Sequence, residues 1–318
     1  MANIYTSAEQ LIGHTPVLEL THIENEYGLN ARILGKMEGW NLAGSVKDRI
    51  AKSMIEDAEA SGKLKPGATI IEPTSGNEGI ALAAVAAVKG YRIILVMPET
   101  MSVERRQLMI AYGAQLELTV GSKGMQGAIE RAKALARETE NSFIPDQFEN
   151  PSNPRVHREE TGPEIFADTE GKVDIFVAGV GTGGTLTGVG EYLRKRNPKV
   201  QIVAVEPADS PILSRGTAGP HQLQGIGPGF IPKVLNRRII SEVITATTQA
   251  AAETCRTVGR LEGILMGISS GAAVWAAIQL ARREENAGRT IVTILADNGE
   301  RYLSTPLFLG GYTALEPV

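Results

Sequence analysis

The sequence predicts an α/β fold built on an open, mostly parallel sheet covered by helices on both faces. Strand-like runs alternate with helix-like runs almost throughout, an order that calls for parallel strands joined by helical crossovers. With 318 residues, 42% hydrophobic and 21% charged, the chain can bury one large or two medium cores. The 35 glycines exceed average composition, and several cluster where a strand-like run meets a helix-like one.

In chain order, Ala31–Met37 reads as a strand and Val46–Ser61 as a helix. Thr69–Glu72 is a short buried strand and Asn77–Lys89 an Ala-rich helix. Arg92–Met97 is a strand, Ser102–Tyr112 a helix, Gln115–Thr119 a strand and Gly124–Thr139 a helix. Further on, Val173–Ala178 reads as a strand, Gly184–Arg196 as a helix and Gln201–Glu206 as a strand. Ala250–Arg260 and Ser270–Arg283 are helices, and Thr290–Leu295 is the last strand. The Pro- and Asn-rich stretch Glu149–Pro154 marks the boundary between a unit of residues 1–150 and one of residues 151–318. Gly216–Pro232 is too glycine-dense for a core element and reads as a functional loop.

Composition also excludes. A net charge of −4 without a long basic run argues against nucleic acid as a partner. Cys255, the single cysteine, allows neither an intramolecular disulfide nor a thiolate zinc site, and its helix suits a buried inert thiol. His14, His22, His157 and His221 are scattered, so no metal is expected. Met1–Gln10 lacks the basic start and apolar core of a signal peptide, and no apolar run approaches a membrane span. A cytoplasmic protein that avoids membranes is the expectation.

Lys47 is the most informative residue. It stands in Asn41-Leu42-Ala43-Gly44-Ser45-Val46-Lys47-Asp48-Arg49, where a helical pattern opens. Ser45 reads as the N-cap with Asp48 three residues later, as in a capping box. Lys47 then falls in the first turn, where the helix dipole disfavours an ammonium by about 0.3–1 kcal/mol when exposed and up to about 2 when partly buried. Desolvation would lower its pKa further and suit it to form a Schiff base or act as a general base. Taken alone it reads as a solvated lysine on an amphipathic helix; two glycine-rich segments overturn that.

The first is Thr74-Ser75-Gly76-Asn77-Glu78-Gly79, between a strand and the Ala-rich helix. Converging backbone N–H groups, two hydroxyls and an amide there suit a carboxylate or phosphate, although an ordinary N-cap turn has the same shape. The second, Gly179-Val180-Gly181-Thr182-Gly183-Gly184-Thr185, follows the strand Val173–Ala178 and reads as a phosphate cup. It also matches G-x-G-x-x-G, and Glu206 ends the next strand, so a nicotinamide-dependent dehydrogenase stands as an alternative. Lys47 favours pyridoxal phosphate (PLP) chemistry, which needs a Schiff-base lysine, a phosphate cup and a carboxylate cradle.

Asn41–Arg49, Thr74–Gly79, Gly181–Thr185 and Gly299-Glu300-Arg301-Tyr302-Leu303-Ser304-Thr305 resemble the corresponding blocks of the cysteine synthases, or O-acetylserine sulfhydrylases. These are fold-type II, tryptophan-synthase-β-like PLP enzymes. The resemblance runs from Leu11-Ile12-Gly13-His14-Thr15-Pro16 to Thr305. It implies two open, twisted, mostly parallel sheets, each flanked by helices, with early residues crossing into the second unit. It implies that Lys47 holds PLP as a Schiff base and later acts as general base. Asn77 would bond the cofactor's phenolic oxygen, Gly181, Thr182, Gly183, Gly184 and Thr185 its phosphate, and Ser269 would face its pyridine nitrogen. Thr74, Ser75, Gly76 and Gln147 would grip the substrate carboxylate on a mobile part of the N-terminal unit, and Gly225 would line the substrate entrance.

The implied reaction converts O-acetyl-L-serine and sulfide to L-cysteine and acetate through an α-aminoacrylate. Cystathionine or lanthionine formation and cysteine desulfhydration remain alternatives within the fold. A homodimer is implied, and the C-terminal tail of a serine acetyltransferase is an implied partner. Two positions depart from the family. Leu42 stands where proline is usual, and Glu78 where the family has a substrate-binding threonine. An ionised Glu78 would repel both a substrate carboxylate and hydrosulfide, at a cost of about 1 kcal/mol in water and several in a shielded site. Three readings stay open: Glu78 turns outward, it weakens the usual reaction, or it selects a different second substrate.

Overall fold

The computed structural model describes residues 4–74, 76–99 and 102–309. Its strands are β1 Val17–Glu19, β2 Arg32–Met37, β3 Thr69–Pro73, β4 Arg92–Pro98, β5 Gln115–Thr119, β6 Ser142–Phe143, β7 Ile175–Gly179, β8 Gln201–Pro207, β9 Glu242–Ala246 and β10 Thr290–Leu295. They form a six-stranded sheet in the order β1-β2-β10-β7-β8-β9 and a four-stranded sheet in the order β5-β4-β3-β6. Every pairing is parallel except β1 with β2. The two-sheet expectation holds, and β1 and β2 pair into the sheet otherwise built from the second half of the chain.

The helices are α1 Thr21–Glu26, α2 Lys47–Ala60, α3 Asn77–Lys89, α4 Val103–Ala111, α5 Gly124–Glu138, α6 Ser152–Val156, α7 Gly162–Asp168, α8 Gly184–Arg196, α9 Ile212–Arg215, α10 Thr248–Glu262, α11 Ile268–Ala281 and α12 Pro306–Leu309. Strand periodicity of two explains how they cover both faces. In β7, Ile175 and Val177 join a core with α10 and α11, while Phe176 joins Leu186 and Val189 of α8 on the opposite face. In the smaller sheet, Ile70 and Leu95 pack toward α2 and α3, while Ile71 and Val96 pack toward Ala128 and Ala132 of α5. Cys255 is fully buried in α10, and burial pushes its thiol up to about 12.

Several elements were not apparent in the sequence. β1, β6 and β9 are short, with no fully apolar run. The last residues of the Glu149–Pro154 stretch open α6. A π-helical turn, His157–Thr161, joins α6 to α7, and Pro163, lacking an N–H, interrupts the ordinary ladder just after it. The capping box at Ser45 is altered. Ser45 Oγ accepts the Lys47 N–H at 3.2 Å and donates to Asp48 Oδ1 at 3.3 Å, while Asp48 Oδ2 accepts the Ala43 N–H at 2.5 Å rather than the Ser45 N–H. Gly44, at φ +80°, turns the chain so that Ser45 instead bridges to Asp297.

One buried network ties α2 to the six-stranded sheet. Arg49 is 1% exposed and donates to both Glu38 oxygens at 2.7 and 2.8 Å and to both Glu164 oxygens at 2.8 and 2.7 Å. Lys36 pairs with Glu164 at 2.9 Å and Asp168 at 3.0 Å. Burial pushes the Glu164 carboxyl up, but Arg49 and Lys36 outweigh it and hold the group at about 2. Its stabilising effect is therefore present above the ordinary value of 4.5 and is lost as pH falls toward 2. Arg49→Met strands Glu38 without its cation and is expected to cost about 3–5 kcal/mol in urea denaturation at neutral pH. The variant's stability should also fall less steeply than the wild type's between pH 4.5 and 2.

Candidate active site

The carboxyl ends of β3, β7 and β10 open onto one cleft, the usual place for a ligand in an open α/β sheet. It has two lobes of about 340 and 50 Å³ that share Lys47, Gly181, Thr182, Gly225 and Ser269. The larger lobe is big enough for a small metabolite. Lys47 is the first residue of α2, and no hydrogen bond reaches its amine among the described residues. Burial lowers its pKa, and the charges of Glu78 and Asp297 oppose that shift without reversing it.

The glycine cup leads from β7 into α8. A Cβ on Gly181 would collide with the Gly225 carbonyl, and one on Gly184 with the Asn153 amide, so both positions require glycine. Gly183 sits at φ +80°, where a side chain would be strained. Asn153 donates to Thr182 Oγ1 at 3.0 Å. Thr185 Oγ1 lies 3.1 Å from His157 Nε2, and His157 Nδ1 lies 2.9 Å from Thr161 Oγ1. Burial, with the nearby charges of Arg49 and Lys47, holds His157 well below its usual pKa, so the ring is neutral and orients Thr185. His157 was read as one of four scattered histidines; the π-helical turn brings it to the cup, and no local spacing announces that.

The opposite wall carries Thr74, Gly76, Asn77 and Glu78 at the N-terminus of α3, with Gln147 beside them. Ser75 lies outside the described residues. The Asn77 amide is fixed at both ends. Its Nδ2 donates to Asp297 Oδ2 at 2.7 Å, and its Oδ1 accepts from Arg301 Nη1 at 2.8 Å. One Nδ2 hydrogen remains for a ligand. Tyr302 also donates to Asp297 Oδ2, at 2.6 Å. The Glu72 carboxyl accepts the Asp146 N–H at 3.1 Å and the Gln147 N–H at 3.4 Å, which sets Gln147 on the wall. Burial pushes Glu72 up to about 8. Glu72 and Asp297 escaped the sequence reading, although a lone acid near the end of an apolar strand or two residues past it was a usable signal.

Glu78 does not turn outward. It is 2% exposed, and neither carboxyl oxygen has a hydrogen-bond partner among the described residues. Burial raises its pKa well above the carboxylate range, and the Lys47 charge opposes this without prevailing. The dinucleotide alternative fails at Glu206. That carboxylate accepts from Leu213 N–H, Ser214 N–H and Ser214 Oγ at 2.7, 3.0 and 2.5 Å, so it caps α9 and is not available to a ribose. No cluster of three or more metal-ligating side chains occurs among the described residues, and no described helix is long and apolar enough to cross a membrane.

Residues 8–297 match the family described as pyridoxal-phosphate dependent enzymes. The chain belongs to that family. It is 56% identical over 300 residues to a cysteine synthase of Staphylococcus aureus, covering 94% of this chain and 96% of that protein. A cysteine synthase structure from Entamoeba histolytica superposes with a TM-score of 0.93 at 46% identity, covering 96% of this chain and 91% of that one. An O-ureido-L-serine synthase superposes at 0.94, also at 46% identity, covering 98% of each chain. The fold is thus that of the fold-type II PLP enzymes, and the cofactor is PLP. The residues present fit it: an amine without a bonded partner faces a cup that side chains would fill. Gly181→Ala is expected to weaken PLP binding by about tenfold or more while leaving the fold intact, as read by cofactor content after dialysis beside circular dichroism.

Proposed function

We propose that the chain catalyses β-replacement on an O-activated serine, converting O-acetyl-L-serine and sulfide to L-cysteine and acetate. The observation that carries the reading is Lys47, a desolvated amine without a hydrogen-bond partner among the described residues, between a phosphate cup and a carboxylate-binding wall. Bound PLP supplies an electron sink for the amino acid attached to it. The chain's own residues do the rest.

Gly181, Thr182, Gly183, Gly184 and Thr185 would hold the cofactor's phosphate through backbone N–H groups and hydroxyls at the α8 N-terminus. Asn77 would bond its phenolic oxygen with the remaining amide hydrogen. Ser269, at the start of α11, would offer its pyridine nitrogen a neutral hydroxyl rather than a carboxylate. Thr74, Ser75, Gly76 and Gln147 would grip the substrate carboxylate, and Gly225 would border the entrance. Lys47 would hold the cofactor through its amine and, once the substrate amine takes its place there, would accept the Cα proton. Acetate leaves with the Cβ–O electron pair, hydrosulfide forms the new C–S bond at Cβ, and Lys47 returns the proton to Cα.

The likeness to cysteine synthases also supports a homodimer, a cytoplasmic location and recognition of a serine acetyltransferase tail. The visible absorption spectrum tests the central reading. The protein with PLP is expected to be yellow, to change colour on addition of O-acetylserine alone, and to recover when sulfide is added with release of cysteine. Lys47→Ala should abolish turnover while the cup still takes up PLP. A yellow protein that ignores O-acetylserine would remove this donor, and a Lys47→Ala variant with wild-type turnover would remove the mechanism.

A further inference from the structure

Glu78 is an acid buried where a substrate carboxylate has to bind. It is the second residue of α3, on the same wall as Thr74, Gly76, Asn77 and Gln147, and both its oxygens lack partners among the described residues. A buried polar group without a partner costs free energy unless a ligand satisfies it. Lys47 and Asp48 of α2, Glu72 of β3 and Arg105 of α4 are the charged or titratable groups around it, with Asp297 beyond Lys47. Burial pushes Asp48 up to about 7 and Glu72 up to about 8, so the carboxyls around Glu78 are themselves reluctant to ionise.

An ionised carboxylate offers only acceptors and could not bond a second carboxylate, whereas a protonated one offers an O–H. Two carboxyl groups that share a desolvated site hold one proton between them. We propose that Glu78 is a substrate-binding residue that donates its carboxyl O–H to the α-carboxylate of the amino-acid substrate. The inference rests on the reaction proposed above for the identity of that substrate. It also removes the repulsion expected of an ionised Glu78: the position keeps a donor, but one that lasts only while the acid holds its proton. Burial favours the protonated form, so the donor is present below the raised Glu78 pKa and lost as pH climbs through it. The effect on the second substrate has the same sign, because a neutral acid does not repel hydrosulfide.

The test is the dissociation constant of the PLP-loaded protein for O-acetylserine and for L-serine, which has the same carboxylate but a poor leaving group. It is read from the visible spectrum across pH in wild type, Glu78→Gln and Glu78→Ala. Glu78→Gln keeps the shape and an N–H donor, and is expected to bind within about threefold of wild type at neutral pH. Glu78→Ala loses the donor and should bind about tenfold or more weakly. Toward alkaline pH the wild type should lose affinity relative to Glu78→Gln once the acid ionises. Infrared difference spectra of the ligand complexes should show a protonated carboxyl band in wild type that Glu78→Gln lacks.

Equal or tighter binding by Glu78→Ala, or absence of that band, would overturn the inference while leaving PLP chemistry untouched. Conversely, a wild-type protein whose spectrum ignores O-acetylserine, but whose L-serine affinity follows the pattern above, would sink the proposed donor and leave the role of Glu78 standing.

Discussion

Arg49 decides where Lys47 stands. The two residues are two apart on α2, so they point to different sides of the helix. Ile50, Met54 and Ile55 of α2 belong to the core of the smaller sheet. Arg49 reaches the other way, to Glu38 just after β2 and Glu164 on α7. Two bidentate carboxylate bonds fix the planar guanidinium in position and in orientation. A helix from one half of the molecule is thereby held to the other, and its first turn is left facing the cleft between them. The loop before it is fixed independently: Val46 N–H donates to Ala296 O at 2.8 Å and Arg301 to Ala43 O at 2.9 Å.

Around that anchor, burial drives ionisable groups toward neutrality. Lys47 is shifted down, Glu72 and Glu78 up, and His157 down, each chiefly by desolvation. The shared cause produces different uses. A neutral His157 has one N–H and one lone pair, which suits a bridge between two threonine hydroxyls. A lysine amine without its proton is a nucleophile and a base. Glu72 accepts two backbone N–H groups and fixes the turn that presents Gln147. Arg49 is as deeply buried, yet its pairing with Glu38 and Glu164 in near-ideal geometry outweighs desolvation, raising the Arg49 pKa and lowering that of Glu164. The contrast between paired and unpaired buried groups separates framework from chemistry in this fold.

Much of this was legible in the sequence. Asn77–Lys89, Gln115–Thr119, Gly184–Arg196 and Thr290–Leu295 begin and end where their patterns say, because each is bounded by glycine, proline or a polar turn, and all but Gln115–Thr119 bury a continuous face. Lys47, the Gly181–Thr185 cup and the α3 wall come together in one cleft, since all sit at strand-to-helix junctions that must lie on the same edge of parallel sheets. The supporting residues were not legible. Asn153 and His157 act on Thr182 and Thr185 across 29 and 28 residues, and Arg301 acts on Asn77 across 224. Such pairings depend on how two sheets are set against each other, which no local pattern encodes. The orientation of Glu78 belongs to the same class: its position follows from the motif, its inward burial only from the packing around it.

The glycine cup shows why a motif alone could support two cofactors. A strand, a glycine turn and a helix N-terminus bind any phosphate, and G-x-G-x-x-G describes that geometry rather than one ligand. What separates the readings lies outside the motif. Glu206 is spent on capping α9, so the wall that would read a ribose is closed. On the other side the glycine-dense loop folds over the cup. Gly227 N–H donates to Val180 O at 2.9 Å, and His221 holds the turn with Nε2 2.8 Å from Gly227 O while Nδ1 accepts the Leu223 N–H at 3.2 Å. Gly225, at φ +95°, brings its carbonyl against Gly181 and leaves no room for a side chain there, while its own backbone conformation would strain any residue but glycine. The lobe beside the cup is only about 50 Å³, and Lys47 lines it. A compact phosphate ester with a reactive carbon near the amine suits a cup with that neighbour.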